Sequence, residues 1–420
     1  MSSFSAASGG IITNRNFLLL WSGNAISLVG FHGARIAYPL LVLALTGSPS
    51  QAGIVTFAMT LPSLIFQIPA GLVADYTDRR RTLWWCQFAG LMATCMALVA
   101  VAGRPPGLLL LLSITAFLEG TANVFFVVSE LGVVRNVVSV EQRPVALAFL
   151  EAELPIAQLI GRATGAVIYG LARWLPFAVN ALSYLCCLGT LSAMRTDYTD
   201  NTDNTARRSE GSSTPSRTWT RIVEGVAVMW SNSFLRGSTA IMALSNSIFQ
   251  VVILLLLLEI KIDGLPTWTV GLVLGAAGVG GLLGAGIAAR LTTRSNARVV
   301  FGVSVWAWLV ALVPIALSSN PYMMALSFGC IGGIGRFVSV VLVVFQVAVI
   351  PDHVLGRAIA AAEFLHAAAV AFGALAGGYL LAAVGTRTTG WIMVAAMFGL
   401  AVGGTRLSLS RGRRRESVEP

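Results

Sequence analysis

The sequence predicts an all-α membrane protein of twelve transmembrane helices, arranged as two six-helix bundles related by pseudo-symmetry. Three observations lead there. The composition is 56% hydrophobic and only 11% charged, with a mean hydropathy of +0.79, outside the range of soluble globular chains. Apolar runs of about 20 residues, the length that a hydrocarbon core of ~30 Å demands of a helix, recur from Phe17 to the C-terminus. The 28 basic residues also sort by side of the membrane.

The first half holds spans at 17–45, 52–74, 83–102, 108–134, 145–172 and 175–193. The first run is too long for the apolar region of a signal peptide and lacks a cleavage site, so it reads as a retained span. Residues 195–220 (RTDYTDNTDNTARRSEGSSTPSRTWT) are polar and poor in apolar side chains, as expected of a disordered linker. Directly after it, Ile222, Val223, Val226, Met229 and Trp230 fall at helical spacing against Arg221 and Glu224, the pattern of a short helix lying on the membrane surface. Six more spans follow at 239–258, 270–289, 299–317, 322–349, 358–384 and 388–405. The expected organisation is an N-terminal bundle (1–194), a cytoplasmic linker (195–220), a C-terminal bundle with its leading amphipathic helix (221–408) and a basic cytoplasmic tail (409–420).

With the N-terminus inside, 21 of the 28 basic residues fall in cytoplasmic segments; Arg104, Arg173, Lys261 and Arg387 lie outside, and Arg35, Arg162 and Arg336 fall within spans. This asymmetry orients the chain with both termini cytoplasmic and explains the net charge of +10 without nucleic acid. The tail arginines 411–415 can also meet anionic lipid. Cys86, Cys95, Cys186, Cys187 and Cys330 all fall inside spans with no metal-ligand spacing, so they read as small packing residues, and no metal site is expected. No phosphate-binding loop is present and the only lysine is Lys261, which argues against ATP-driven transport. Three histidines and no Ser/His/Asp pattern argue against an enzyme.

An internal repeat supports two related halves. Gly71-Leu-Val-Ala-Asp75-Tyr-Thr-Asp-Arg79 aligns with Gly286-Ile-Ala-Ala-Arg290-Leu-Thr-Thr-Arg294, and Gly161-Arg-Ala-Thr-Gly165 with Gly373-Ala-Leu-Ala-Gly377, at similar offsets and equivalent topological positions.

The segment Gly71-Leu72-Val73-Ala74-Asp75-Tyr76-Thr77-Asp78-Arg79-Arg80-Arg81 resembles the loop signature between spans two and three of the major facilitator superfamily. Tyr76 stands where that family usually has a basic residue and Asp78 where it commonly has glycine. The Asp-Arg-Arg form is similar to the enterobactin-exporter and macrolide-efflux branch, as are Leu20-Trp21-Ser22-Gly23-Asn24, Pro39-Leu40-Leu41 before Thr46-Gly47-Ser48-Pro49, and Ile350-Pro351-Asp352 before Gly356-Arg357. The resemblance implies the major facilitator fold and alternating access, with two bundles rocking about a central site. It also implies an inner-gate role for Gly71, Asp75, Asp78, Arg79 and Arg80, whose charge-assisted bonds to helix ends would break as the gate opens. Gly161-Arg162 occupies the place where antiporters of this family usually carry Gly-Pro.

Charges inside spans are costly and mark functional candidates. Glu151, Gln158 and Arg162 stand seven and eleven residues apart, within about 20° of one helical face. Glu119, Asn123 and Glu130 form a similar stripe on the fourth span. Arg35 lies on the first span with His32, Arg336 on the tenth, and Glu363 with His366 on the eleventh. A carboxylate in a low-dielectric cavity holds a proton more readily, so Glu119, Glu151, Glu153 and Glu363 are candidates for proton coupling, with Arg35, Arg162 and Arg336 as partners or anion contacts and His366 beside them. The competing reading is a buried ion pair, Glu151 or Glu119 with Arg35 or Arg162, that only holds helices in register.

The expected function is proton-coupled efflux of an amphipathic small molecule, such as a drug, siderophore or secondary metabolite, by a monomer in a bacterial inner membrane with no cofactor beyond the proton gradient. Proton-coupled nutrient uptake and a non-transporting sensor or scaffold are the alternatives.

Overall fold

In the computed structural model of the protein, the described residues are 11, 13–103, 105–194, 230–291, 296–318 and 320–409. The predicted linker at 195–220, the amphipathic segment 221–229 and the tail arginines 411–415 lie outside them, as does the side chain of Asp75. Every regular element among the described residues is helical.

The first half comprises α1 (Arg15–Thr46), α2 (Pro49–Ile65), α3 (Gln67–Tyr76), α4 (Arg79–Gly103), α5 (Leu108–Val137), α6 (Arg143–Leu171) and α7 (Leu175–Ala193). The second comprises α8 (Ser233–Ile262), α9 (Trp268–Leu291), α10 (Ala297–Leu317), α11 (Pro321–Val349) and α12 (Asp352–Leu409). Ten of these pass as membrane-crossing helices by length and composition. Two departures reconcile that number with the twelve predicted spans. The predicted span 52–74 is broken at Phe66, one turn after Pro62, into α2 and α3. The two predicted spans on either side of residues 385–387 are two helices, counted together as α12, that meet at a kink at Gly385. Its φ of 76° and ψ of 179° occupy a region open in practice only to glycine, so this residue alone turns the chain between them.

Local chemistry sets the helix ends. Asn14, Asn232, Asn296 and Asn320 each cap a helix by accepting a bond from a first-turn backbone N–H. The Thr46-Gly47-Ser48-Pro49 turn works in sequence: Gly47 closes α1 in the left-handed region at φ 71°, Ser48 caps α2, and Pro49 occupies its first turn, where its missing N–H costs nothing. Large apolar side chains such as Leu110, Val310 and Leu326 are exposed around the outside, the surface a bilayer would cover.

Within each half the helices meet through small residues, as expected where lipid removes the hydrophobic drive for helix association. A Cβ on Gly165 of α6 would lie 2.5 Å from Gly33 Cα of α1, and one on Gly161 would lie 2.5 Å from Val29 O. Their repeat mates Gly373 and Gly377 of α12 approach Ser247 and Val251 of α8 in the same way. The structure thus carries the internal repeat into matching packing, span one on span five and span seven on span eleven. Of the eighth-span glycines, Gly280 and Gly284 take the backbone of α11, while Gly271 takes Ala163 O of α6 in the other half. Replacing Gly165 with leucine is expected to destabilise the first half by about 1–3 kcal/mol, the cost of overpacking a filled site. Thermal unfolding of the purified protein in detergent measures it; an unchanged melting temperature would mean α1 and α6 can separate freely.

The two halves touch along two lines. Gly53 of α2 packs on Ala374 and Gly378 of α12, with Phe57 against Phe372. Across the molecule, α6 meets α9 through Gly170 with Thr267, Ala163 with Gly271 and Leu159 with Gly278. Lys261 Nζ donates to Leu43 O, tying α8 to α1. All these contacts run from the face bearing Lys261 to the middle of the helices. Phe57 and Leu159 are the contacts of this set nearest the opposite, arginine-rich face. The halves are closed on the Lys261 face.

Candidate functional site

The gap between the halves is lined in the first half by one face each of α1 and α6. On α6, Gly161 and Gly165 touch α1 while Leu159 and Ala163 touch α9. The 3.6-residue period leaves two faces between those contacts. One bears Ile156, Ile160, Val167 and Leu171, all exposed as a lipid-facing side would be. The other bears Glu151, Gln158, Arg162 and Tyr169 and therefore faces the gap. Glu151 is exposed near its arginine-rich end, and Arg162 lies deep within it with Nε buried. On α1, the face away from the α4, α5 and α7 contacts carries Trp21, His32 and Arg35. Trp21 packs edge-on against Phe149 of α6, with ring centroids 5.5 Å apart.

Neither predicted ion pair exists. Arg35 and Arg162 form no salt bridge with Glu119 or Glu151 among the described residues. Glu119 is instead fully buried inside the first half, 0% exposed. Its Oε1 accepts from Tyr38 Oη (2.8 Å) and Thr94 Oγ1 (2.7 Å), and its Oε2 from Asn180 Nδ2 (3.1 Å). That network binds α1, α4, α5 and α7 together and turns Glu119 away from the gap, because α5 presents this face to its own half. Truncating Glu119 to alanine would orphan the Thr94 hydroxyl and strip Tyr38 and Asn180 of one acceptor each, leaving them Thr115 and Thr94, at roughly 1–3 kcal/mol for each group left unsatisfied. We expect Glu119→Ala to melt well below wild type and Glu119→Gln, which keeps an acceptor, to retain transport. A well-folded Glu119→Gln protein that has lost proton-driven transport would overturn this structural assignment.

The other acids are arranged differently. Glu130 accepts a 2.7 Å bond from Asn24 Nδ2. Glu153 is 4% exposed, and neither of its carboxyl oxygens meets a donor. The two carboxylates are close enough to repel one another, and Cys187, within electrostatic range of both, belongs to an apolar cluster with Phe17, Leu20 and Phe126. In the second half, Glu363 is 71% exposed at the side chain, with its Oε1 3.9 Å from His366 Nδ1, too far for a hydrogen bond. Exposed Arg336 of α11 lies within electrostatic range of Glu363.

The residues of the predicted gate loop bond to helix ends of their own half. Asp78 Oδ1 accepts from the backbone N–H groups of Arg80 (3.0 Å) and Arg81 (3.3 Å), capping α4. Arg79 donates to Ala74 O and Gly132 O, both at 3.1 Å. Arg80 donates to Leu191 O at 2.8 Å and Met194 O at 3.0 Å. The arginines therefore cap the C-terminal ends of α3, α5 and α7, favourable for both dipole and hydrogen bonding. Every one of these bonds stays within the first half. Gly71 has open space where a side chain would lie, so packing alone does not require glycine there.

Tyr38, Thr94 and Asn180 were invisible as partners of Glu119, because each lies on a different helix and nothing in their spacing links them. Tyr169 could have been found, since it stands seven residues beyond Arg162 on the same stripe. A groove of about 550 Å³ lies elsewhere, between α4 and α5, lined by Trp85, Met92, Met96 and Leu118; it opens on the outer wall of the first half and is separate from the gap.

A family model described as Major Facilitator Superfamily matches residues 20–294. The chain is 24% identical over 391 residues to the multidrug efflux pump Tap of Mycolicibacterium fortuitum, covering 88% of each protein. It is 36% identical to the pump of the same name from Mycobacterium tuberculosis (strain ATCC 25618 / H37Rv), over 89 residues that make up 21% of this chain and 19% of that one. Among solved structures, the nucleoside transporter NupG superposes with a TM-score of 0.71 at 13% identity, covering 93% of this chain and 98% of that one. A bacterial homologue of the iron transporter ferroportin, in an inward-facing state, gives 0.69 at 15% identity over 94% and 99%.

Proposed function

The chain belongs to the major facilitator superfamily, and from that membership we propose that it is a proton-coupled exporter of an amphipathic small molecule. The observation that carries the direction is the likeness to a multidrug efflux pump along 88% of both chains; the motifs shared with the enterobactin-exporter and macrolide-efflux branch point the same way. The arginine-rich face is the cytoplasmic one by the positive-inside rule, in a bacterial plasma membrane. On that assignment the gap opens inward, and substrate enters it from the cytoplasm or the inner leaflet.

Export then requires the bundles, taken as 1–194 and 221–408, to part along the Gly53–Gly378 and Gly170–Thr267 lines and to close at the cytoplasmic end. The contacts that part are small-residue seams with few hydrogen bonds, which suits repeated opening. The loop arginines move with their own bundle as a rigid cap. Glu153 with Glu130 is the proton-exchanging pair, because these are buried carboxylates without a cationic partner, set behind the gap-facing side of α6.

The test is accumulation of a panel of amphipathic fluorescent compounds in cells expressing the protein, with and without a protonophore. Lower accumulation that the protonophore abolishes is the expected result. Higher accumulation in expressing cells would establish uptake instead, and equal accumulation across a broad panel would remove the export reading.

A further inference from the structure

The deepest part of the gap wall is a set of donors without acceptors. Gly161 and Gly165 press α6 onto Gly33 of α1 so closely that a Cβ on Gly161 would lie 2.8 Å from His32 Cβ. This contact carries Arg162, next to Gly161, and Arg35, two residues past Gly33, to adjacent places, near enough for their guanidinium groups to repel. His32, only 3% exposed, has no partner for either ring nitrogen. Arg162 Nε and, two turns further along the same face, Tyr169 Oη are also buried without partners. No described residue forms a hydrogen bond or ion pair with either guanidinium.

Among the described residues, none pairs with either arginine. Glu151 shares the α6 face but stands eleven residues away, roughly 16 Å along the helix. Glu119 is engaged by Tyr38, Thr94 and Asn180, and Glu130 by Asn24; Glu153 lies on the opposite side of α6 from Arg162. In the second half, Glu363 lies beside His366 and Arg336, and Glu259 beside Asp263. Two guanidinium groups in a membrane-embedded site without a partner are costly, and a chain that needed them only for packing would pair them. Arginine's planar fork matches the oxygens of a carboxylate, sulfonate or phosphate.

We infer that the transported molecule is an amphipathic organic anion whose acidic group is held between Arg35 and Arg162. This rests on the reading of the gap as the transport site and names the class of molecule it takes. Tyr169 Oη and His32, both buried without partners, supply further polar contacts.

The experiment is equilibrium binding to the purified full-length protein of two fluorescent probes with one skeleton, anionic 8-anilinonaphthalene-1-sulfonate and uncharged N-phenyl-1-naphthylamine. Saturable binding of the sulfonate at least tenfold tighter than that of the neutral amine is expected. Arg35→Gln and Arg162→Gln should each remove that preference, while Arg162→Lys keeps part of it and Arg173→Gln, at the far end of α6, keeps all of it. Melting temperatures of the variants check folding; should a Gln variant prove unfolded, the Arg162→Lys protein carries the comparison. Equal binding of the two probes by wild type, or a sulfonate preference unchanged in the folded arginine variants, overturns the inference. Because binding is measured without a gradient, the two readings fail separately. Lost anion preference with intact protonophore-sensitive export of neutral compounds defeats the anion site alone, and intact preference with no export in cells defeats the exporter alone.

Discussion

Gly53→Leu is expected to abolish transport while leaving the protein folded. A Cβ at this position would lie 2.7 Å from Ala374 O and 2.9 Å from Gly378 Cα, both backbone atoms of the other half that cannot yield by a rotamer change. The clash exists only while the halves are closed on the Lys261 face, so it penalises one conformational state and not the fold of either bundle. A cost of about 1–3 kcal/mol for an overpacked contact, placed on one state of a two-state equilibrium, shifts that equilibrium about 5–150-fold. Export should fall by a comparable factor, and a cysteine at position 57, just below the seam, should become more reactive to a membrane-impermeant maleimide added from outside. Near-normal export with unchanged labelling would mean that the Gly53–Gly378 seam does not part during the cycle.

The second large effect is expected at Glu153. The amide of Glu153→Gln has the shape of the carboxyl group and cannot release a proton, and neither oxygen of the native side chain has a donor to lose. Folding should therefore be preserved, while export driven by a pH gradient falls at least about tenfold, the range typical of removing a positioned proton-transfer group. Substrate exchange between the two sides of a vesicle at equal pH should persist, a readout that a merely structural defect would not spare. Glu151→Gln is the discriminating control. Glu151 is exposed at the mouth of the gap, and its variant should keep gradient-driven export; the reverse pattern would move coupling from the buried pair to the mouth.

The division between what sequence and structure contribute follows from the range of each interaction. Membrane crossing, number of spans and the two-half organisation were legible because hydrophobic length, arginine placement and the repeat are properties of consecutive residues. The stripe of Glu151, Gln158 and Arg162 was legible for the same reason, since a 3.6-residue period decides which side chains share a face of one helix. The break at Phe66 was not, because Pro62 lies within an unbroken apolar run and a kink leaves hydropathy unchanged. Partnership between helices was not legible either. Glu119 and Glu153 look alike in sequence, each an acid within an apolar run, yet one is saturated by three donors from three other helices and the other meets none. The loop arginines showed a similar limit: their chemistry, capping helix ends, was foreseeable, but not that all the capped ends belong to the same half. By itself the sequence determined that this chain crosses the membrane about twelve times and which helix faces are polar, since these depend on side-chain order along one chain. Only the tertiary structure decided that Arg35 and Arg162 stand together with no counter-charge among the described residues, because that depends on glycine contacts drawing α1 and α6 within van der Waals reach across more than a hundred residues of sequence.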